Sequence, residues 1–254
     1  MRLLIVGAGA MGRWFAGAVA ADRDEVAFAD VDRTAAERAA EEEGGRAVAL
    51  DDEGGFDALC VAVPLSAAPE AIEEHAPRAT AAVFDVSGAM CDPVEAMRAA
   101  APDRERASLH PLFAPGNEPG SVPVVVDEGG PVTEEVLSRI EARGNAVVET
   151  TPEEHDRAME TIQAKAHAAV LAYALSRERV PEGFETPVSR GLDDLAETVT
   201  GGTPHVYGEI QAAFDGAEDV ASAAERIAEA DGEAFEALYR EAGTRARRDD
   251  PGAR

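Results

Sequence analysis

The sequence predicts an α/β chain: a doubly wound domain over residues 1–150, an all-helical domain over 151–244 and a flexible polar tail over 245–254. Three observations carry this. Met1-Arg2-Leu3-Leu4-Ile5-Val6 is apolar and runs straight into Gly7-Ala8-Gly9-Ala10-Met11-Gly12, after which a second apolar run ends on Asp30. Strand and helix patterns then alternate to about residue 150, as in a mostly parallel sheet covered by helices on both faces. From Pro152 onward the alternation stops and only helical patterns follow.

The strands are expected at 3–6, 25–29, 46–50, 58–63, 82–86, 107–110, 122–126 and 146–149, and the intervening helices at 11–21, 34–43, 66–76, 92–100 and 133–143. Thr133 and Pro152 suit helix starts, and Gly144 suits a helix end. From Pro152 to about Arg177 the chain reads as one long helix, with no Gly or Pro after its first residue. A loop with Pro181, Gly183 and Pro187 follows, then helical stretches near 188–199, 204–215, 217–230 and 232–242.

The first thirty residues specify a ligand. Gly7 allows a tight turn after the first strand, Gly9 lets backbone approach a pyrophosphate, and Gly12 lets the helix pack close to the strand. Ala10 and Met11 open that helix, whose unpaired N–H groups face the phosphates. Asp30 follows 18 residues after Gly12, where a carboxylate accepts hydrogen bonds from ribose hydroxyls and repels a 2′-phosphate. This is a Rossmann dinucleotide-binding unit, and Asp30 favours NAD over NADP. Arg33 argues the other way, since an arginine there can accept the 2′-phosphate. The turns after two later strands, Val63-Pro64-Leu65 and Ser87-Gly88, lie on the edge of the sheet where ligands bind, and are expected to line the nicotinamide half and the substrate.

Composition limits the partners. The 254 residues hold 50 acidic against 23 basic side chains, a formal charge of −27, and Lys165 is the single lysine. Such a chain repels nucleic acid and anionic membranes. The acidic excess suggests adaptation to a salty cytoplasm, where screening relieves self-repulsion. A GC-rich codon bias would account for the scarcity of lysine but not for the excess of acid. Cys60 and Cys91 form no metal or disulfide pattern. No apolar run reaches the ~18 residues of a membrane span, and the first strand leaves no room for a signal peptide, so a cytoplasmic protein is expected.

Two segments carry chemistry. Ser108-Leu109-His110-Pro111-Leu112-Phe113-Ala114-Pro115-Gly116 ends a strand on a histidine and stiffens the next loop with prolines. A histidine beside a redox cofactor can take a proton from an alcohol as hydride leaves its carbon. The second segment runs from Glu154-His155-Asp156 to Gln163 and His167. Gln163 and His167 are four apart and share a helix face. His155 lies about 120° round an ideal helix from His167, so its pairing with Asp156 is expected to be structural.

Taken together, the glycine turn, the Leu109–Phe113 segment with Pro115, and Glu154-His155-Asp156 leading to Gln163 and His167 resemble the prephenate/arogenate dehydrogenases of tyrosine biosynthesis. The likeness is collinear to roughly residue 215. It implies NAD-dependent oxidative decarboxylation of prephenate or arogenate, with His110 as catalytic base, His167 in the substrate pocket and a homodimer made by the helical domain. Gly88-Ala89-Met90 stands where the family has Ser-Val-Lys, with Ser87 one position early. The family's carboxylate-binding arginine falls near Thr198, and Arg190 is the nearest substitute. Gln163, Ser87 and Arg190 are therefore expected to contact substrate beside His167. Two alternatives stay open: a dehydrogenase of β-hydroxy-acid type, which would need a catalytic lysine, and a nucleotide-sensing protein without catalysis.

Overall fold

Alternation along the strands builds the core of the first unit. In β1 (Arg2–Val6), Leu3 and Ile5 face one side of the sheet while Leu4 and Val6 face the other, and all four are buried. The structure is a computed structural model that describes residues 1–52 and 54–248. The chain divides into two units, Met1–Met159 and a second beginning at Glu160.

In the first unit β1 leads to α1 (Ala10–Val19), β2 (Glu25–Ala29), α2 (Arg33–Glu43) and the short β3 (Arg46–Ala47). Then come β4 (Phe56–Val61), α3 (Ala68–His75), β5 (Ala79–Val86), α4 (Cys91–Ala100) and β6 (Glu105–Leu109). The unit ends with β7 (Ser121–Glu128), α5 (Pro131–Ala142), β8 (Ala146–Glu149) and α6 (Pro152–Met159). The strands form one sheet in the order β3-β2-β1-β4-β5-β6-β7-β8. All neighbours are parallel except β6 and β7. That pair is joined by a loop without a crossover helix, so the chain returns antiparallel. Phe15, Phe28, Phe84 and Ile140 fill one face of the sheet, and Leu59, Ile72, Val83 and Met97 the other. Each such side chain stabilises the fold by about 1.5–3 kcal/mol when fully buried. The order reverses at β1 and β4, so the crevice between their carboxyl ends is the ligand-binding switch point of an open α/β sheet.

Three sequence expectations are corrected. The strand expected at 46–50 pairs only over Arg46–Ala47. The long helix expected at 152–177 is not one α-helix, because Glu160–Lys165 winds as a π-helix between α6 and α7 (Ala166–Ser176). The wider turn gives the Ala164 carbonyl a side-chain partner, the Gln211 Nε2–H at 3.0 Å. The last helix also continues beyond 242.

The regular elements among the described residues of the second unit are all helical: the π-helical segment, α7, α8 (Pro187–Thr200), α9 (Pro204–Ala213), α10 (Gly216–Glu229) and α11 (Gly232–Arg248). Thr186 and Ser189 form a capping box that starts α8. Tyr173 donates its hydroxyl to Asp193 at 2.8 Å, tying α7 to α8. Of the tail expected at 245–254, residues 249–254 lie outside the described residues. No helix among the described residues is long and apolar enough to cross a membrane.

Candidate active site

The glycine turn is built for close approach. Gly7 has φ +100°, a conformation that side chains resist, and a Cβ there would stand 2.3 Å from the Ala62 carbonyl oxygen. At Gly12 a Cβ would meet the Gly7 carbonyl oxygen at 2.0 Å. These two glycines are therefore required by packing between β1, α1 and the end of β4. Gly9 is different: a Cβ there meets nothing within 4 Å, so the fold itself does not demand glycine. It stands at the N-cap of α1, where no side chain caps the helix. An open cradle over helix N–H groups, with Ala10 and Met11 in the first turn, fits a pyrophosphate.

Asp30 sits just past β2 and braces this turn. Its Oδ2 accepts the Ala8 N–H at 2.7 Å and its Oδ1 accepts the Asp32 N–H at 2.8 Å. Each oxygen keeps a lone pair for a ribose hydroxyl. Arg33 points its Nε to Glu37 at 2.9 Å from an exposed position. Val31 is 93% exposed between Asp30 and Asp32, just past β2, and nothing in the sequence singles it out. So large an exposed apolar group suits the flat face of a base. Val63, Pro64 and Leu65 follow β4, with Leu65 opening a short 3-10 turn. The Ala62 N–H donates to the Val6 carbonyl at 2.7 Å, which holds this loop against the glycine turn.

His110 lies at the carboxyl end of β6, and its N–H donates to the Pro123 carbonyl at 3.0 Å. Its loop is pinned by Phe113, which packs edge-on to Trp14 of α1 with ring centroids 5.6 Å apart. The His110 Nδ1 is 3.0 Å from Nε2 of His155, and the His155 Nδ1 is 2.8 Å from Oδ1 of Asp156. Asp156 also accepts the backbone N–H groups of Met90 at 2.8 Å and Cys91 at 3.0 Å. Burial pushes the Asp156 carboxyl up, but hydrogen bonds led by that from His155 outweigh it and leave it below the usual carboxylate range. A carboxylate at this place takes the His155 Nδ1–H, so His155 Nε2 accepts and His110 Nδ1 donates. The tautomer follows from the network, and it makes Nε2 of His110 the basic nitrogen. Burial first, and then the adjoining His155, push the His110 imidazole down to about 3. It is therefore neutral across the physiological range.

The His155–Asp156 pairing expected from sequence is present, and His155 also reaches His110. His155 is 2% exposed and stands between the carboxylate and His110. The sequence held one clue to this, an acid next to a histidine on the helix that follows the last strand.

Ser87, expected at the substrate, turns its hydroxyl inward to Asp85 Oδ2 and to the Ala89 carbonyl at 3.0 Å. Asp85 is fully buried, and burial outweighs the hydrogen bond from Ser87 and pushes its carboxyl up to about 7. One hydroxyl proton cannot serve two acceptors, and a protonated Asp85 supplies the second. The raised value sets the sign of a stability effect. Folding is unpenalised below the ordinary 3.8, weakens as pH rises toward about 7 and is level above it. Asp85→Asn should remove this loss, narrowing the drop in denaturation midpoint between pH 5 and pH 8. An unchanged drop would show that Asp85 is ionised throughout.

In the second unit, Gln163 lies in the π-helical segment and His167 in the first turn of α7. The His167 ring packs against Tyr207 of α9, with centroids 4.6 Å apart, a partner that the sequence did not reveal. Burial lowers the His167 imidazole below its ordinary value. Arg190 is exposed in the first turn of α8, and Thr198 bonds its hydroxyl to the Asp194 carbonyl at 2.9 Å. Lys165 is held by Glu160 at 2.9 Å and Asp219 at 2.6 Å.

No protein-family model matches the chain. A curated relative, the 4-amino-4-deoxyprephenate dehydrogenase of Streptomyces pristinaespiralis, is 31% identical over 278 residues, covering 94% of this chain and 88% of its own length. The chain belongs to the prephenate dehydrogenase family. Among solved structures, the prephenate dehydrogenase of A. aeolicus in complex with hydroxyphenyl propionate and NAD+ has a TM-score of 0.69 at 16% identity, over 98% of both chains. The Synechocystis arogenate dehydrogenase has a TM-score of 0.61 at 18% identity, over 97% of this chain and 99% of its own. At these identities the likeness is one of fold.

Proposed function

We propose that the chain is an NAD-dependent dehydrogenase that oxidatively decarboxylates a prephenate-type ring: prephenate, arogenate or the 4-amino-4-deoxy analogue. The observation that carries this is the Asp156–His155–His110 chain, which aims a neutral imidazole from the ligand edge of a dinucleotide-binding sheet. Gly7, Gly9, Ala10, Met11, Gly12 and Asp30 would hold the cofactor, with Val63, Pro64 and Leu65 on its nicotinamide side. NAD, when bound, supplies the hydride acceptor. His110 accepts a proton from the substituent at C4. His167 and Gln163 are assigned to substrate contact, and Arg190 to a substrate carboxylate. Aromatisation on loss of CO2 drives the reaction, so the residues chiefly position the ring and accept one proton.

The β-hydroxy-acid alternative needs a lysine, and Lys165 is committed to two carboxylates. Assays of NADH formation with each of the three ring acids test the reading. NADH with at least one of them is expected, and NADH with none would overturn it.

Two further assignments belong to this reading. Asp30 selects NAD, so Asp30→Ser with Arg33 retained should move the kcat/KM ratio toward NADP; a wild type that uses NADP better would reverse the assignment. The helical unit forms a two-fold dimer. It is supported by α7, which is apolar on all sides yet has no buried residue, and by exposed Leu175, Phe184 and Val188. With a charge of −27, as in proteins adapted to a salty cytoplasm, pairing should strengthen with salt. Light scattering across a salt series should give a dimer, and a monomer at every salt concentration would contradict this.

A further inference from the structure

The base has a neighbour without a side chain. A Cβ built on Gly88 would stand 3.8 Å from Nε2 and 3.9 Å from Cε1 of His110, with nothing nearer. That is ordinary contact distance, and Gly88 has no positive φ. Neither backbone nor packing therefore requires glycine there. The adjoining hydroxyl, on Ser87, is directed to Asp85 and Ala89 and is 7% exposed. Position 88 thus presents no side chain to the edge of the ring that carries Nε2.

The geometry points to Gly88 as the residue that fits this site to a ring acid bearing an amino group, in place of a hydroxyl, at the carbon that is oxidised. The inference rests on the proposed dehydrogenase function. A hydroxyl both donates and accepts hydrogen bonds, so a serine beside the base would serve its oxygen lone pair. A protonated amine has no lone pair, carries three hydrogens and is bulkier. It needs room, and a serine or alanine side chain at 88 would take that room. Asp156, one imidazole beyond His110, adds negative charge on this side of the sheet, which favours a cationic group over a neutral one. As hydride and CO2 leave, the nitrogen becomes that of a weakly basic aromatic amine, and the proton it gives up in that step passes to His110 Nε2.

The test compares kcat/KM for 4-amino-4-deoxyprephenate and prephenate, at saturating NAD, in the wild type, Gly88→Ser and Gly88→Ala. One hydrogen bond mismatched in a closed site corresponds to about tenfold or more in discrimination. The wild type should prefer the amino substrate by about that factor. Gly88→Ser should move the ratio toward the hydroxyl substrate by a similar factor, and Gly88→Ala should weaken the amino substrate without improving the other. A wild type that prefers prephenate overturns the inference, and so does a ratio unmoved in both variants. If the variants do not fold, the wild-type preference decides alone. NADH with neither substrate would overturn the dehydrogenase reading itself, whereas oxidation of both with an unmoved ratio would overturn only the role of Gly88.

Discussion

Replacing His110 with asparagine should lower kcat by about 10²–10⁴ while NAD binding is retained, the usual loss for a general base. Asparagine keeps much of the imidazole's shape and can still donate toward His155, so the loop held by Phe113 and Trp14 should survive. It has no nitrogen lone pair to take a proton. Steady-state rates by NADH absorbance, with cofactor affinity measured separately, check both parts. A near-wild-type kcat would place the base elsewhere.

The pH dependence separates sequence from structure. From residue type alone, the rate should fall as an ordinary imidazole protonates, near pH 6.5. The structure shifts His110 to about 3, so kcat/KM should be nearly level from pH 8 down to pH 5. An acid limb centred between pH 6 and 7 would contradict the buried, neutral imidazole. The same shift acts on stability. Between about 3 and 6.5 the unfolded chain binds a proton that the folded chain refuses, so folding weakens as pH falls through that window.

Asp156→Asn carries the second large effect. An asparagine amide at this place can present its N–H₂ to His155 Nδ1, which would make that nitrogen the acceptor and put the proton on Nε2. His155 would then donate to Nδ1 of His110, and the His110 proton would move to its own Nε2, where it blocks the base. Reversing the tautomer of a catalytic histidine by such a change is known to cost about 10⁴ in kcat, and a relay one imidazole longer should lose about 10²–10³. KM should change little. The N–H groups of Met90 and Cys91 would also lose a charged acceptor, so a stability measurement must accompany the kinetics. Full activity in a folded Asp156→Asn protein would mean that the relay does not set the tautomer.

Much of the first unit was legible because its signals are local. The turn at Gly7–Gly12, the alternating strands and the carboxylate at Asp30 each occupy a few consecutive residues and obey short-range rules. The place of His110 was legible too, since the apolar run before it marks a strand and the residue stands just past β6. His155 was read as structural because helical geometry relates it only to its own helix. Its contact with His110 spans 45 residues and depends on how α6 meets the end of β6. The π-helical turn at Glu160–Lys165 was invisible for a related reason, since apolar spacing there matches an α-helix and the partner of the Ala164 carbonyl comes from Gln211. Ser87 has the residue type of a substrate contact, and only the buried Asp85 beneath it reveals where its hydroxyl points.

In the proposed mechanism His110 offers Nε2 as its basic nitrogen because Asp156 and His155 hold its proton on Nδ1. Nitrogen-15 NMR of the histidine rings, with His110 assigned by its loss in His110→Asn, measures this directly. A neutral His110 protonated on Nδ1 is expected at every pH from 5 to 8. A ring protonated on Nε2, or one that titrates within that range, would contradict it.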